Sequence, residues 1–182
     1  MPLYKNEPVI IVSYNDDWPY VFNSLKKVLQ NHLQDKIIDI IHIGSTAVNG
    51  LVAKPIIDLN IIIENYHILA GITAKLSELG YRYEGEKGII GRHAYDRVNE
   101  KVPLSYNKNW MDHHLYVCSK DNPENTRQIQ FRDYLRRNPE AAAEYAALKQ
   151  KLAIKYKNDR KKYTDGKHDF VEKILEKVEQ NL

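Results

Sequence analysis

One stretch of the chain combines residue types that could bind phosphate and a metal ion. An apolar run over residues 37–43 ends at Gly44-Ser45, and after a short segment of small residues a second run carries Asp58. Glycine allows the backbone to approach an anion closely, and hydroxyl and amide groups at a turn can donate hydrogen bonds to it. A carboxylate on the following strand could hold a divalent cation beside that anion. The stretch is therefore a candidate phosphate site, which does not by itself establish an enzyme.

The second run reads as a strand whose alternate side chains share a face, so Asp58 and Asn60 point the same way, toward the turn. Lys54 immediately precedes this strand and could add a positive charge, or it could project into solvent. Metal-assisted phosphoryl or nucleotidyl transfer normally uses two or three carboxylates around Mg²⁺. Because Asn60 stands where a second carboxylate is expected, the sequence does not predict a complete two-metal centre.

Other residues that could contact a ligand lie further along the chain. His113 and His114 are adjacent on a predicted strand and face opposite ways, so they could not easily bind one metal ion together. His114 could act as a proton donor or as an anion contact, or it could be structural. Arg92 lies on a predicted hairpin that could lean over the same cleft. Arg132 and Arg136 are one helical turn apart and suit bidentate phosphate contacts, although ion pairing along the helix explains either one alone more simply.

The elements that must position these residues follow from apolar periodicity. The sequence predicts strands over residues 8–14, 37–43, 55–63 and 113–119, and a hairpin formed by residues 81–84 and 88–95. It predicts helices from Asp17 to about Leu33 and over residues 69–79, two helices after residue 122 that break at Asn138-Pro139, and a last helix from Asp165-Gly166. The long apolar runs at 37–43 and 55–63 are typical of central strands covered on both faces. We predict one domain, with an α/β core over residues 1–121 and a helical part over residues 122–182.

Composition sets the class of protein. The 182 residues are 43% hydrophobic and 28% charged, as in soluble globular domains. No apolar run approaches the ~20 residues that cross a bilayer, residues 1–7 lack a signal-peptide pattern, and Cys118 is the single cysteine. We therefore expect a cytoplasmic protein without disulfides. The net charge of +3 is too small to indicate nucleic acid. Seven basic residues within 149–162 could attract an anion, although a solvated helix end explains them more simply.

With these residues assembled, the chain resembles the GrpB family over nearly its full length. The sharpest match is His-Ile-Gly-Ser-Thr-Ala-Val at residues 42–48, followed by Gly50-Leu51 and by Ala-Lys-Pro-Ile-Ile-Asp at residues 53–58. Further matches, in order along the chain, are Trp18, residues 79–81, 114–115, 131–136 and 144–149, Asp159-Arg160, Tyr163-Thr164 and Lys167. Many separated matches in the same order make this resemblance more specific than any one motif.

The resemblance implies a polymerase-β-like nucleotidyltransferase fold, in which a mixed sheet is flanked by helices. It implies that Gly44 and Ser45 contact phosphate and that Asp58 binds Mg²⁺ or Mn²⁺. The ligand would be a phosphate-bearing small molecule, with a nucleotide as the first choice, and the reaction would be Mg²⁺-dependent nucleotidyl transfer. The alternative is a non-catalytic binding or partner module that keeps the fold, and Asn60 favours it. Related domains fused to dephospho-coenzyme A kinases suggest a link to coenzyme A metabolism. Tyr116, where the family often has a second histidine, weakens a histidine metal site.

Overall fold

The computed structural model describes residues 8–180. The expectations for residues 1–7, and the outer limits of the two predicted parts of the chain, lie outside the described residues. The helices are α1 (Trp18–Leu33), α2 (Leu69–Glu78), α3 (Pro123–Arg137), α4 (Pro139–Lys155), α5 (Arg160–Asp165) and α6 (His168–Glu179). The strands are β1 (Asp39–Ile43), β2 (Ile57–Ile63), β3 (Tyr81–Tyr83), β4 (His93–Arg97) and β5 (His113–Ser119).

The five strands form one mixed sheet in the order β1-β2-β5-β4-β3. Strands β2 and β5 are parallel, and the other neighbouring pairs are antiparallel. The parallel register places Asp58 opposite His114 and Asn60 opposite Tyr116. The predicted mixed sheet flanked by helices is therefore confirmed, and its two central strands bring the predicted site residues side by side.

The two faces of the sheet have different partners. On one face, Leu59 of β2 and Leu115 of β5 are fully buried in a core that includes Leu25 and Leu29 of α1 and Ile72 of α2. Because side chains alternate along a strand, Asp58 and His114 point to the opposite face. The helical third of the chain covers that second face, and it leaves a cavity over the Asp58 end of β2.

The helical third is fixed to the rest of the domain by two apolar clusters. Leu135 of α3 and Tyr145 of α4 pack with Val48 and Leu51, which follow the turn at Gly44. Leu152, Tyr163 and Val9 form the second cluster. This packing places α4 and the α5 region directly beside the turn. None of the helices within residues 8–180 is both long and apolar enough to cross a membrane.

Two of the predicted strands differ in the structure. Residues 8–14 do not form a strand, because Val12 bridges Ala53 while Val9 donates to the carbonyl of Lys157, so the segment follows two different partners and builds no ladder. The run at 37–43 was expected in the centre of the sheet, but β1 is an edge strand. It is apolar because α1 packs against one face and α3 covers its free edge, where Arg132 donates to the carbonyl of His42.

Two predicted boundaries also shift. The hairpin is present, but its second strand begins at His93 rather than Gly88, because Gly88 and Gly91 adopt positive φ values of 83° and 72° that interrupt an extended strand. The last helix begins at His168, and the short helix α5 precedes it. Both differences arise in segments where turn residues outweigh apolar periodicity.

Candidate functional site

The turn after β1 is built on a glycine that no other residue could replace without strain. Gly44 has φ 72°, and a Cβ placed on it would lie 2.5 Å from Oδ2 of Asp58. Ser45–Ala47 then form a single turn of 3₁₀-helix. The close approach puts the backbone of the turn against the carboxylate of β2, as the sequence predicted for this pair.

Side chains from distant segments hold the turn in place. The hydroxyl of Thr46 donates to the carbonyl of Ile56 at 3.3 Å and lies 2.9 Å from Nε2 of His42. Burial lowers the pKa of His42 to about 4, so its ring is neutral at pH 7 and structural. Arg132 donates to the carbonyl of His42 at 2.7 Å, and Arg136 donates to the carbonyl of Ala47 at 2.7 and 2.9 Å. The turn is therefore a braced structure rather than a free loop.

Asp58 and His114 form a hydrogen-bonded pair across β2 and β5. Nδ1 of His114 lies 2.7 Å from Oδ1 of Asp58, and their side chains are 30% and 29% exposed. Burial alone would raise the pKa of the Asp58 carboxyl, but the hydrogen bond and charge of His114, with smaller effects of Lys54 and His42, lower it overall. Asp58 is therefore a stable carboxylate with one oxygen already engaged.

Asn60 has a structural role that its sequence position does not reveal. It is fully buried, and its amide nitrogen donates to Oδ1 of Asn125 at 3.0 Å and to Oε1 of Gln128 at 2.7 Å. Both partners belong to α3. The side chain therefore ties the helix to the sheet and does not line the cavity beside Asp58.

A cavity of about 940 Å³ opens between the sheet and the C-terminal helices. Gly44, Ser45, Asp58 and His114 form part of its wall. Three lysines from separate segments form another part: Lys54 before β2, Lys149 on α4 and Lys167 between α5 and α6. The turn, the carboxylate–imidazole pair and the lysines therefore face one space.

The three lysines are packed against aromatic rings rather than paired with acids. Nζ of Lys54 lies 5.7 Å from the centroid of the Tyr163 ring, and Nζ of Lys167 lies 4.6 Å from the same centroid. Nζ of Lys149 lies 4.8 Å from the Tyr145 ring centroid and also donates to the carbonyl of Val52. None of the three forms an ion pair with a carboxylate of residues 8–180. The lining of the cavity includes eight lysines or arginines against four aspartates, so the site has a formal excess of positive charge.

Burial and mutual repulsion perturb these lysines. Burial, with the charges of Arg160 and Lys167, lowers the pKa of Lys54 to about 8. Burial and the charge of Lys167 lower the pKa of Lys149 to about 7. Burial also lowers the pKa of Lys167; the charge of Asp58 opposes this shift and the charge of Arg160 adds to it. Desolvated like charges disfavour the protonated state, and a bound anion would relieve that cost.

Another part of the cavity wall carries the side chain of Arg92 and the aromatic ring of Tyr116. The guanidinium of Arg92 lies 4.5 Å from the ring centroid of Tyr116, which shares the face of His114. Arg92 also lies 3.9 Å from Glu124. Arg160, at the start of α5, lines the same cavity. Positive side chains therefore stand on several sides of the Asp58–His114 pair.

The cavity residues do not supply the oxygen ligands that the predicted Mg²⁺ site needs. Mg²⁺ prefers near-octahedral oxygen coordination, usually with more than one carboxylate when the protein and a phosphate share it. Within residues 8–180 no three side chains of His, Cys, Asp or Glu are grouped to hold a metal ion. Asp58 is bound to His114, Asn60 is engaged with α3, and Lys54 adds a positive charge nearby. The cavity fits an anion better than a cation.

The structure brings most of the predicted site residues together. Gly44, Ser45, Lys54, Asp58, Arg92 and His114 all line the cavity. Arg132 and Arg136 do not, because their guanidinium groups are used by the carbonyls of β1 and of the following turn and by Asp133. The ligand role predicted for these two arginines stays a prediction, and their contacts in the structure support the turn.

Several cavity residues carried no assigned role at the sequence level. Tyr145 and Lys149 are four residues apart on α4, and Arg160, Tyr163 and Lys167 follow within the basic and aromatic C-terminal region. All five lie within the matches to the family pattern, which was the one signal that could have marked them. Of the seven basic residues in 149–162, Lys149, Arg160 and Lys161 line the cavity, so the cluster is only partly a solvated helix end.

Comparison with known proteins identifies the family of this chain. Residues 8–177 match the family model described as GrpB protein. The chain is 33% identical over 178 residues to UPF0157 protein YqkA of Bacillus subtilis (strain 168), a match covering 98% of this chain and 49% of that protein. The chain thus spans about half the length of that relative. It belongs to the GrpB family.

The solved structure of a GrpB protein agrees with the fold. The crystal structure of conserved protein GrpB from Enterococcus faecalis superimposes with a TM-score of 0.79 at 32% identity, covering 94% of this chain and 98% of that one. A structure of Cid1 in complex with its short product ApU gives a TM-score of 0.46 at 12% identity, over 77% of this chain and 40% of that one. The second similarity is too distant to assign an activity.

Proposed function

We propose that the cavity binds a phosphate-bearing small molecule, with nucleotides as the leading class. One observation carries this proposal: Lys54, Lys149 and Lys167 converge on a cavity beside the Gly44-Ser45 turn, and within residues 8–180 none of them forms an ion pair, although Asp58 acts on Lys54 and Lys167 from a longer distance. Removing an ammonium group from water is costly unless an opposite charge compensates it. A bound phosphate would supply that charge, while Ser45 could donate a hydrogen bond to it.

Size and aromatic content support a nucleotide over inorganic phosphate alone. A cavity of about 940 Å³ is near the upper end of the range for small-molecule sites, about 300–1,000 Å³. The Tyr116 ring with the Arg92 guanidinium, at 4.5 Å, offers a flat surface on which a base could stack. The adenine and phosphates of coenzyme A precursors share this chemistry, so they belong in the same screen.

The geometry favours binding over Mg²⁺-dependent transfer. Asp58 is the one predicted carboxylate at the turn, and Asn60 is held by two side chains of α3. This arrangement supports the binding or partner module that keeps the fold. Nucleotidyl transfer remains the alternative, and Mg²⁺ or Mn²⁺ would then have to complete its coordination with ligand and water oxygens.

A ligand screen tests the proposal. Thermal shifts and isothermal titration calorimetry would be measured with nucleoside mono-, di- and triphosphates and coenzyme A precursors, in EDTA and in Mg²⁺ or Mn²⁺, with the free nucleosides as controls. We expect phosphorylated compounds to raise the melting temperature and nucleosides not to do so. Lys54→Gln and Ser45→Ala should weaken binding, whereas Lys151→Gln, at an exposed position of α4, should not.

Two results would overturn the proposal. One is equal binding of nucleosides and nucleotides, because phosphate recognition would then be absent. The other is full binding by the Lys54→Gln variant, because the ligand would then occupy another surface. Turnover of a nucleoside triphosphate that depends on divalent metal and is lost in Asp58→Ala would instead establish the transferase alternative.

A further inference from the structure

We infer that lysine side chains take the place of a divalent metal in this cavity, so that its ligand carries two or more linked phosphates and binds without metal. The inference rests on the proposed function and deepens it by naming the ligand class and the source of the neutralising charge. It starts from the poor fit between the cavity residues and Mg²⁺.

The cations form a continuous arc rather than a single point of charge. Lys54, Lys149, Arg160 and Lys167 all line the cavity. The charge of Lys167 lowers the pKa values of Lys54 and Lys149, and the charge of Arg160 lowers those of Lys54 and Lys167. At the other end Arg92 lies over the ring of Tyr116, and the charges of Arg92 and Arg160 both oppose the rise that burial causes in the pKa of the Tyr116 hydroxyl. These cations, which we call the arc, therefore extend from Lys149 on α4, past Lys54 before β2, to the Arg92–Tyr116 pair.

Charge balance decides how many phosphates the arc can accept. A single phosphate ester carries about −1.5 to −2 at pH 7. The side chains that line the cavity include eight lysines or arginines and four aspartates, a formal net charge of +4, which a single phosphate ester does not neutralise. A diphosphate or triphosphate carries more charge and also has the length to contact several cations at once. The arc therefore matches a polyphosphate chain.

The lysines come from parts of the chain that have to fold together. Lys149 is held by the carbonyl of Val52 and by the Tyr145 ring, and Lys54 and Lys167 stand near the Tyr163 ring. Their ammonium groups are thus positioned before a ligand arrives, which limits the entropy lost on binding. Point charges of this kind serve phosphate recognition without the strict coordination geometry that a metal ion needs.

Inorganic polyanions test the inference without any nucleoside. Calorimetry on the full chain would compare phosphate, pyrophosphate and tripolyphosphate at constant ionic strength and pH 7, first in EDTA and then with excess MgCl₂. We expect affinity in EDTA to rise by about tenfold or more from phosphate to tripolyphosphate. Added Mg²⁺ should weaken binding, because it neutralises the free polyanion.

Matched lysine variants locate the effect. Lys54→Gln and Lys167→Gln should each weaken tripolyphosphate binding by about tenfold, the loss typical of a charge-assisted contact. The controls Lys151→Gln and Lys173→Gln remove the same charge from exposed positions of α4 and α6, and they should stay within about twofold of the wild type. Melting temperatures of all variants show whether each has folded, and two independent cavity variants guard against one misfolded protein.

Three results would overturn the inference: equal affinity for phosphate and tripolyphosphate, binding that requires Mg²⁺, or the same loss in the cavity and control variants. These outcomes are separable from failure of the proposed function. If nucleotides bind in Mg²⁺ while tripolyphosphate in EDTA does not, the cavity binds nucleotides through a metal and the lysines do not replace it. If the lysine variants bind normally, the arc has no part in recognition.

Discussion

Substitution of Gly44 by alanine should destabilise the protein and disturb the candidate site at the same time. The added methyl group would lie 2.5 Å from Oδ2 and 3.1 Å from Cβ and Cγ of Asp58. The carboxylate cannot rotate away freely, since Oδ1 is hydrogen-bonded to His114 at 2.7 Å. The change therefore forces either the turn or the Asp58–His114 pair to move.

The expected magnitude has two parts. Gly44 has φ 72° and ψ −172°, a region that is essentially restricted to glycine, and holding alanine there costs about 1–3 kcal/mol. Forcing a methyl group into a packed contact costs about 1–3 kcal/mol more. The lower entropy of the unfolded alanine chain returns about 0.4–1 kcal/mol. The free energy of unfolding of Gly44→Ala should therefore fall by about 1–5.5 kcal/mol relative to the wild type.

Gly50 is the matched control for this substitution. It has φ 76°, but a Cβ placed on it would meet nothing within 4 Å. Gly50→Ala should thus show the backbone cost alone, about 1 kcal/mol or less after the entropy gain. Urea denaturation would measure both variants and also Gly44→Ala combined with Asp58→Ala, in which the clashing carboxylate is gone. Equal destabilisation by the two glycine substitutions, or simple additivity in the double variant, would refute the close packing of Gly44 on Asp58.

Three further predictions concern Asn60, Arg132 and the cavity lysines. Asn60→Asp should lower the free energy of unfolding, measured in urea, by about 3 kcal/mol or more. The substitution buries a carboxylate against the two side-chain oxygens of Asn125 and Gln128 that now accept from the Asn60 amide. A variant that is stable and gains Mg²⁺-dependent binding would contradict this prediction. Arg132→Ala should lower the free energy of unfolding by about 1–3 kcal/mol, since it removes a 2.7 Å hydrogen bond to the carbonyl of His42. The affinity for tripolyphosphate should stay near the wild-type value. A selective loss of affinity with unchanged stability would instead show that Arg132 contacts the ligand. Between pH 7 and 9, anion affinity should fall as Lys149 and Lys54, with pKa values of about 7 and 8, lose their protons. The ligand-free protein should gain stability over the same range, because the unfolded lysines keep their protons up to about pH 10.5 and the folded ones do not. Calorimetry and urea denaturation at each pH check the two opposite trends, and parallel trends would contradict them.

The local part of the site could be predicted from the sequence. An apolar run, a Gly-Ser turn and a strand with Asp58 lie within about twenty residues, and short-range patterns of this kind fix strand direction and side-chain alternation. His114 was also placed correctly on the face opposite to His113, since neighbouring residues on a strand point apart. These predictions held because they required only the geometry of single elements.

The lysine wall could not be predicted in the same way. Lys149 and Lys167 lie about 90 to 110 residues after Asp58 in the chain, and their position depends on how α4 and α5 pack on Val48, Leu51 and Val9. The periodicity of apolar residues predicts which face of a helix is buried, but it does not predict which segment of the chain that face packs against. A basic run therefore looked like a solvated helix end, although part of it faces a cavity.

The same limit explains why the contacts of Arg132 and Arg136 and the edge position of β1 were not predicted. Arginines one turn apart suit phosphate and backbone carbonyls equally well, because both present oxygen acceptors. Here α3 packs beside the edge of the sheet, so the nearest acceptors are the carbonyls of His42 and Ala47. The covering helices also give an edge strand the apolar pattern of a central one. Only the tertiary arrangement distinguishes these cases.

Mapping the bound ligand by two-dimensional ¹H–¹⁵N NMR tests the phosphate-binding cavity most directly. Titration with ATP in EDTA should shift the amide signals of residues 44–46, 54, 56–58, 114–116 and 160–167, in fast or intermediate exchange. The groove on the other side of the turn, lined by Tyr14, Leu51 and Arg136, should show no comparable shifts. Shifts centred on that groove, or none at saturating ATP with or without Mg²⁺, would contradict ligand binding in the lysine-lined cavity.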